Sequence, residues 1–211
     1  MKETARIEAF SDGVFAIAIT LLILDIHIPE FDKNTNLISA LAAEWTGLLA
    51  LLIGFFTILI CWINHHYMFR MIHKSNSKLL LLNGFKLLVV TITPFSTALL
   101  SKHLATDWSA SAINIYTFNF ALMGTAMSAV WCYSNNIGFV ASESKEENRA
   151  TTQLYIFACI FPVTIWLVSF FSIISCLVLS AIMFSIYIFP EKIVKWRTEQ
   201  LKKRMLSGVT I

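Results

Sequence analysis

The chain has 211 residues, of which 57% are hydrophobic and 14% charged, and its formal net charge is +3. Soluble domains average about 45–50% apolar and about 25% charged residues, so this composition argues against a soluble globular domain and for a protein embedded in a lipid bilayer. The cysteines lie inside apolar runs without a CxxC pair, which disfavours a disulfide framework or a zinc site. They are Cys61, Cys132, Cys159 and Cys176.

Apolar stretches of membrane-spanning length follow one another along the chain. A transmembrane helix needs roughly 20 mostly apolar residues. The last stretch, 151–190, is about twice that length, so we expect it to divide near Ser169–Ser172. The sequence therefore predicts an all-α membrane protein with six transmembrane helices in one domain, residues 1–190, followed by a basic tail, 191–211. The predicted spans are 9–29, 46–69, 79–101, 112–134, 151–169 and 172–190.

Basic residues are concentrated on one side of this six-span arrangement. That side carries Lys2, Arg6, Arg70, Lys74, Lys78, Lys145, Arg149, Lys192, Lys195, Arg197, Lys202, Lys203 and Arg204. The opposite loops carry only Lys33 and Lys102. Cytoplasmic loops are enriched in lysine and arginine, so we expect a multi-pass protein of the cell membrane with both termini in the cytoplasm. Lys86 falls within the third span, and we expect its side chain to snorkel toward the basic end.

The basic tail alternates charged and apolar residues, with Trp196 among them. This pattern favours a cytoplasmic extension of the last helix, with the tryptophan at headgroup level. A regulatory lipid-binding role for the tail is the alternative.

The first span contains a charged residue, Asp12, and such a residue normally faces protein or water rather than lipid. At 100° per residue, Asp12 and Ser11 lie off a separate apolar face about 100° wide. That face carries Phe10, Gly13, Ile17, Thr20, Leu21, Leu24 and Ile28. The first helix is thus predicted to have two interfaces, a polar one toward its own bundle and an apolar one toward another partner.

The start of this helix reads Arg6-x-x-x-Phe10-Ser11-Asp12. It resembles the RxxxFSD signature of the transmembrane protein 175 family, the lysosomal potassium channels and their bacterial homologues, and matches it at all four positions. The length and six-span layout are similar to single-repeat bacterial members, whereas animal members carry two repeats. The resemblance implies a homotetrameric potassium channel in which the first helix of each repeat lines the pore.

The resemblance also implies roles for individual pore residues. Ile17, five positions after the motif aspartate, would form the constriction, and Leu21 and Leu24 would form further apolar rings. Thr20 would supply a hydroxyl layer that assists potassium preference. Such a constriction can close a pore by dewetting. No TVGYG-type filter occurs in the sequence, so we expect weak to moderate selectivity for potassium over sodium.

The second span ends in a polar cluster that contains Trp62, Asn64, His65 and His66. In the family, a tryptophan and a histidine at this place brace the first helix, so we assign these residues to a network with Ser11 and Asp12, leaving open which histidine joins it. Metal binding by the histidines, with His73, and pH sensing are alternatives to structural anchoring.

At the far end of the first helix, Asp25, His27 and Glu30 follow the apolar face. In a fourfold assembly their carboxylates would concentrate cations at an outer vestibule. A solvated helix end explains the same residues.

Other functions have less support in the sequence. HExxH, GxSxG and phosphate-binding motifs are absent, which argues against an enzyme. We expect no cofactor apart from K⁺ as the permeant ion, and the lipid bilayer and further copies of the chain as partners, with no nucleic acid. A secondary transporter or a proton-conducting protein is the main alternative function, and a scaffold without transport activity is another.

Overall fold

A computed structural model describes residues 3–25 and 36–206. These residues form an all-helical bundle without a named β-strand. Its helices are α1 (Ala5–Leu21), continued by a 3-10 turn (Leu22–Asp25), α2 (Leu37–Ala43), α3 (Trp45–Met71), α4 (Ser77–His103), α5 (Ser109–Asn136), α6 (Lys145–Ser169), α7 (Ile173–Tyr187) and α8 (Pro190–Leu206). Positions 26–29 of the first predicted span lie outside the described residues.

Side-chain caps explain where several helices begin. Asn76 Oδ1 accepts a hydrogen bond of 2.9 Å from the Leu79 amide at the start of α4. Ser144 Oγ accepts one of 3.1 Å from the Glu147 amide at the start of α6. Such caps satisfy amides that have no partner inside the helix, so they define the first turn.

Four helices are long and apolar enough to cross a bilayer, namely α1 with its 3-10 turn, α3, α4 and α6. The bent pair α7 and α8 meets the same criterion when taken together, which raises the number to five. The described residues therefore form a multi-pass membrane protein.

Helix α5 lies between α4 and α6, and two of its asparagines donate hydrogen bonds to these neighbours. Asn119 Nδ2 donates to Thr93 Oγ1 of α4 at 3.0 Å, and Asn114 Nδ2 donates to Ser169 Oγ of α6 at 3.2 Å. Polar residues lower the hydropathy of α5, but each of these donors finds a partner on a neighbouring helix. With 28 residues, α5 is about 42 Å long, which exceeds the hydrocarbon thickness of about 30 Å.

Helices α5 and α6 approach each other closely at Gly124. A Cβ atom added at Gly124 would lie 2.1 Å from the carbonyl oxygen of Ala158. Only glycine fits where two helix backbones come this near, which is a common packing device inside membranes.

One end of the bundle gathers the N-terminal segment and two loops. Glu3 Oε2 accepts a hydrogen bond of 3.0 Å from the Ser75 amide in the α3–α4 loop. The same loop pairs with the α5–α6 loop, since the His73 amide donates to the Phe139 carbonyl at 3.0 Å. These are three of the segments that the distribution of lysine and arginine assigns to one side of the membrane.

The C-terminal helix α8 joins the same end. An ion pair connects Arg70 at the end of α3 with Glu191 in the first turn of α8. Arg197 Nε donates to Gln153 Oε1 of α6 at 2.9 Å. The α8 helix is therefore docked on the bundle.

The prediction that the basic tail extends the last helix is wrong, because α8 is bent by 77° from α7. Proline has no amide hydrogen, so Pro190 cannot continue the hydrogen-bond ladder of α7 and instead opens α8 at a position that proline favours. The break between α6 and α7 lies at 170–172, and Ser172 Oγ caps α7 by accepting from the Ser175 amide at 3.2 Å.

Candidate functional site

Helix α1 packs one side against α3 and α4. Its buried residues are Ile7, Ser11, Phe15 and Ala18. Their spacing of four, four and three residues keeps them on one face of an α-helix. The contacts of this face fix the orientation of α1 relative to its own bundle.

The opposite side of α1 presents apolar side chains to the outside of the chain. Phe10 is 67% exposed, Ile17 62%, Leu21 43% and Leu24 72%. Thr20 is also exposed, and its hydroxyl donates to the Ile17 carbonyl oxygen at 2.9 Å. These residues were predicted to share one face, and they do share the exposed side of the helix.

Asp12 connects α1 with α3. Trp62 Nε1 donates to Asp12 Oδ1 at 2.8 Å. The Trp62 ring stacks on His66, with centroids 5.9 Å apart. Trp62, Asp12 and His66 therefore form one contact group at the edge of the α1–α3 interface.

A second group of polar side chains is buried beneath α1 and joins it to α4 and α3. Asn83 Nδ2 donates to Ser11 Oγ at 3.1 Å, while Asn83 Oδ1 accepts from Lys86 Nζ at 2.8 Å. Lys86 Nζ lies 2.6 Å from His65 Nδ1. A continuous series of polar contacts thus runs from Ser11 through Asn83 and Lys86 to His65, and we call it the buried polar chain.

Aromatic rings enclose the lysine end of the buried polar chain. Lys86 Nζ lies 5.7 Å from the ring centroid of Phe15 and 5.4 Å from that of Phe69, distances at which an ammonium is attracted to a ring face. The His65 ring contacts the same two phenylalanines. With Lys86 as an ammonium, which has donors only, His65 Nδ1 is the acceptor and the imidazole is neutral.

Two sequence predictions for this region are wrong. Lys86 does not snorkel, because it is fully buried and bonded to Asn83 and His65. Asn64 does not join the motif residues, since its Nδ2 donates to the carbonyl oxygens of Ile60 and of Tyr187 on α7, each at 2.8 Å. Asn64 therefore ties α3 to α7 rather than to α1.

The remaining predicted residues lie apart from the buried polar chain. Arg6 is exposed in the first turns of α1. Asp25 ends the 3-10 turn, and Glu30 and His27 lie outside the described residues. Within residues 3–25 and 36–206, no group of three His, Cys, Asp or Glu side chains could hold a metal ion, so the alternative of metal binding by the histidines gains no support.

The sequence analysis missed Asn83 and the internal role of Lys86. Lys86 is a single cation within an apolar run, and Asn83 precedes it by about one helical turn. An isolated charge in a membrane span, with a polar side chain on the same face, was the available signal for an internal partner.

Fold and site together define the class of this protein as a multi-pass helical membrane protein with a firmly anchored N-terminal helix that exposes an apolar face. Comparison with known proteins places it more closely. A family model described as "Endosomal/lysosomal potassium channel TMEM175" matches residues 6–94. The chain is 41% identical over 139 residues to a protein of Streptomyces collinus named as a potassium channel, with 65% of this chain and 68% of that protein covered.

Two further relatives differ in the ion that their names state. A protein of Chamaesiphon minutus named as a potassium channel is 35% identical over 175 residues, covering 81% of this chain and 86% of that protein. A human protein named as the endosomal/lysosomal proton channel TMEM175 is 37% identical over 99 residues, covering 43% of this chain and 20% of the human one.

A solved structure agrees in fold. The crystal structure of a lysosomal potassium-selective channel TMEM175 homolog from Chamaesiphon minutus superposes with a TM-score of 0.80 at 32% identity, covering 89% of this chain and 97% of that one. The chain belongs to the TMEM175 family of ion channels, as a bacterial member.

Proposed function

We propose that this chain forms a homotetrameric potassium channel in which α1 of each copy lines a central pore. The observation that carries the proposal is the exposure of Ile17 and Leu24, 62% and 72% in a single copy, on a helix whose other side is buried in its own bundle. In a bilayer an exposed apolar face contacts either lipid or another helix, and the relatives named as channels support the second for α1. Four such faces around an axis leave a narrow apolar path between them, and the two bacterial relatives named as potassium channels support the choice of ion.

The proposed constriction is the ring of four Ile17 side chains. Leu21 follows about 6 Å along the helix axis, and Leu24, in the 3-10 turn with its rise of about 2 Å per residue, lies about 6 Å further, so they extend the apolar wall by about 12 Å in total. Water leaves a narrow apolar passage readily, and an ion cannot cross the passage without water or a substitute ligand. Widening or rotation of α1 then opens the path.

Thr20 is the proposed polar layer within this wall. Its hydroxyl hydrogen is used in the bond to the Ile17 carbonyl, which leaves oxygen lone pairs for a partly hydrated cation. A single hydroxyl layer offers fewer ligands than a carbonyl filter, so selectivity for potassium over sodium is weak to moderate. At the outer entrance, Asp25 and Glu30 concentrate cations by electrostatic attraction.

The proposed topology has six spans, formed by α1, α3, α4, α5, α6 and α7, in the cell membrane. Both termini are cytoplasmic in this topology, because the segments rich in lysine and arginine belong on that side. The hydrogen bonds that hold residue 3 and the 70–78 and 135–150 loops at one end of the bundle support this grouping.

Proton conduction is the second candidate function. The relative named as a human proton channel favours it, as does the buried contact between Lys86 and His65 beside α1. A secondary transporter is less well supported, since the relatives from Streptomyces collinus and Chamaesiphon minutus are both named as channels.

Recordings from the purified protein in planar bilayers separate these functions. With K⁺ on one side and Na⁺ on the other, we expect channel currents whose reversal potential shows a modest preference for K⁺. A current that persists in a pH gradient after K⁺ is replaced by an impermeant cation would instead assign proton conduction. Saturable flux without unitary currents would reject the channel in favour of a transporter.

A further inference from the structure

We propose that α8 and the elbow that precedes it form a binding surface for anionic phospholipids, in the leaflet at the end of the bundle where α1 begins. Helix α7 is apolar, and α8 departs from it by 77°. In the proposed topology α7 crosses the bilayer, so a helix turned this far from α7 runs close to the plane of the bilayer surface, where amphipathic helices meet headgroups. Lipid binding at α8 does not require that α1 conduct ions.

The inner side of α8 is occupied by the bundle. Val194 and Leu201, seven residues apart, are 3% and 8% exposed. Arg197 is bonded to Gln153 of α6. This side fixes the rotation of α8 about its own axis and therefore determines which residues point away from the protein.

The outward side combines aromatic and basic side chains. At 100° per residue, Lys192, Trp196 and Lys203 fall within about 40° of one another. Trp196 is 58% exposed, and Phe189 at the elbow is 53% exposed. Lys192 Nζ lies 4.4 Å from the Phe189 ring centroid. Tryptophan flanked by lysines is typical of helices that lie at the headgroup level of a membrane.

One acidic residue of α8 shares the outward side, since Glu199 lies within about 20° of Lys192 at 100° per residue. The helix contains six basic and two acidic residues. Both acidic residues, Glu191 and Glu199, line a cleft toward the start of α6, together with Lys195 and Lys202. The outward side therefore carries two lysines against Glu199, whereas Glu191 faces the cleft and the groove at the elbow and is paired with Arg70.

A groove beside the elbow offers room for part of a lipid. It has a volume of about 210 Å³, and Phe189 and Lys192 line it together with Trp62 and His66 of α3. Lys192 can place its ammonium against a phosphate at the rim of the groove, while the apolar walls receive the upper part of an acyl chain. Trp62 is also the donor to Asp12, so a lipid bound in this groove would contact a residue that braces α1.

Charge favours anionic lipid over a second copy of the chain as the occupant of this surface. A symmetric pairing of two outward sides would bring lysines against lysines, which like-charge repulsion disfavours. An anionic leaflet attracts the same lysines, with a gain of about fivefold in binding for each basic residue near the surface.

Quenching by brominated lipids tests the proposal on the full chain. The protein is reconstituted in phosphatidylcholine vesicles that contain brominated phosphatidylglycerol or, at equal mole fraction, brominated phosphatidylcholine. The signal of Trp196 is the difference in fluorescence between the wild type and the Trp196→Phe variant. We expect the quenching to correspond to an anionic lipid concentration around Trp196 about fivefold or more above that in the bulk membrane. This enrichment should fall at high salt because surface charges are screened.

Two double variants with equal charge loss provide the matched comparison. Lys192→Gln with Lys203→Gln should remove the preference for the anionic lipid, whereas Lys195→Gln with Lys202→Gln should retain it. Native mass spectrometry of retained phosphatidylglycerol in the same proteins gives a second measurement that needs no tryptophan change. Equal quenching by both lipids would overturn the proposal. So would an equal loss of anionic-lipid preference in the two double variants, or a Trp196 signal that neither lipid quenches because a second copy covers the residue.

Discussion

Lys86 Nζ lies 2.6 Å from Nδ1 of His65, so a lysine of α4 and a histidine of α3 are in direct contact inside the bundle. Neither side chain reaches water, since both are at most 1% exposed. The contact links α3 to α4, and Asn83 carries it on to Ser11 of α1. The anchoring of α1 therefore depends on a residue outside its sequence motif.

Replacement of Lys86 by methionine should destabilise the protein. The variant keeps the length of the side chain but leaves His65 Nδ1 and Asn83 Oδ1 without their donor, and each unpaired buried polar group costs about 1–3 kcal/mol. Thermal unfolding in detergent should show a clearly lower Tm. Lys102→Met serves as the control, because Lys102 is exposed near the end of the same helix. Equal Tm values for the two variants would contradict a structural role of Lys86.

Asp12 and Trp62 should show coupled effects on stability. Asp12→Ala removes the acceptor, and Trp62→Phe removes the donor while keeping an aromatic ring against His66. Because each single variant already abolishes the same hydrogen bond, the double variant should be less destabilised than the sum of the two, with a coupling on the order of 0.5–1 kcal/mol. A double-mutant cycle on thermal unfolding measures this coupling, and strictly additive effects would argue that the bond contributes nothing.

Ile17→Asn should raise the unitary conductance if Ile17 forms the constriction. An amide side chain of similar size wets the narrowest point and lowers the barrier that dewetting imposes. Single-channel recording in symmetric K⁺ measures the change. Ile23→Asn is the matched control, since Ile23 is 54% exposed but lies on another side of the same segment. Unchanged conductance in Ile17→Asn, or an equal rise in both variants, would remove Ile17 from the pore.

Thr20→Val should reduce the preference for K⁺ over Na⁺ while the protein folds normally. Valine keeps the shape of threonine but lacks the hydroxyl oxygen that we assign to the cation. Reversal potentials under bi-ionic conditions report the change. Thr91→Val is a close control, because the exposed Thr91 makes an equivalent bond, from Oγ1 to the Leu88 carbonyl at 2.8 Å. A selectivity ratio that does not change with Thr20→Val would assign selectivity elsewhere.

Gly124→Ala should destabilise the contact between α5 and α6. The new methyl group would meet the Ala158 carbonyl oxygen, and overpacking of this kind costs about 1–3 kcal/mol. Gly84→Ala is the control, since nothing lies within 4 Å of a Cβ atom at Gly84 and alanine is the better helix former by about 1 kcal/mol. Thermal unfolding should therefore shift in opposite directions for the two variants. A Tm as high as that of the wild type for Gly124→Ala would show that the helices can separate without cost.

The sequence predicted those features that follow from local patterns. Long apolar runs located the helices, and the period of α1 separated an exposed side with Ile17 and Leu24 from a buried side with Ser11. Asp12 lies near the start of the first helix and Trp62 near the end of the second predicted span, so the sequence predicted both at the same end of the bundle. In the structure a hydrogen bond joins them. These features depend on hydrophobic period and on the lengths of helices, both of which can be read along the chain.

Contacts between helices were decided only by the tertiary structure. A polar side chain in a membrane span must find a partner, but the sequence does not say on which helix, so Asn64 bonds to Tyr187 of α7 and Lys86 is held by His65 instead of reaching the surface. The direction of α8 likewise depends on how it docks against α6 once Pro190 has interrupted the ladder. The spacing of apolar residues along the sequence restricts which side of a helix is buried. The pairing of buried polar groups is set by the arrangement of neighbouring helices in three dimensions.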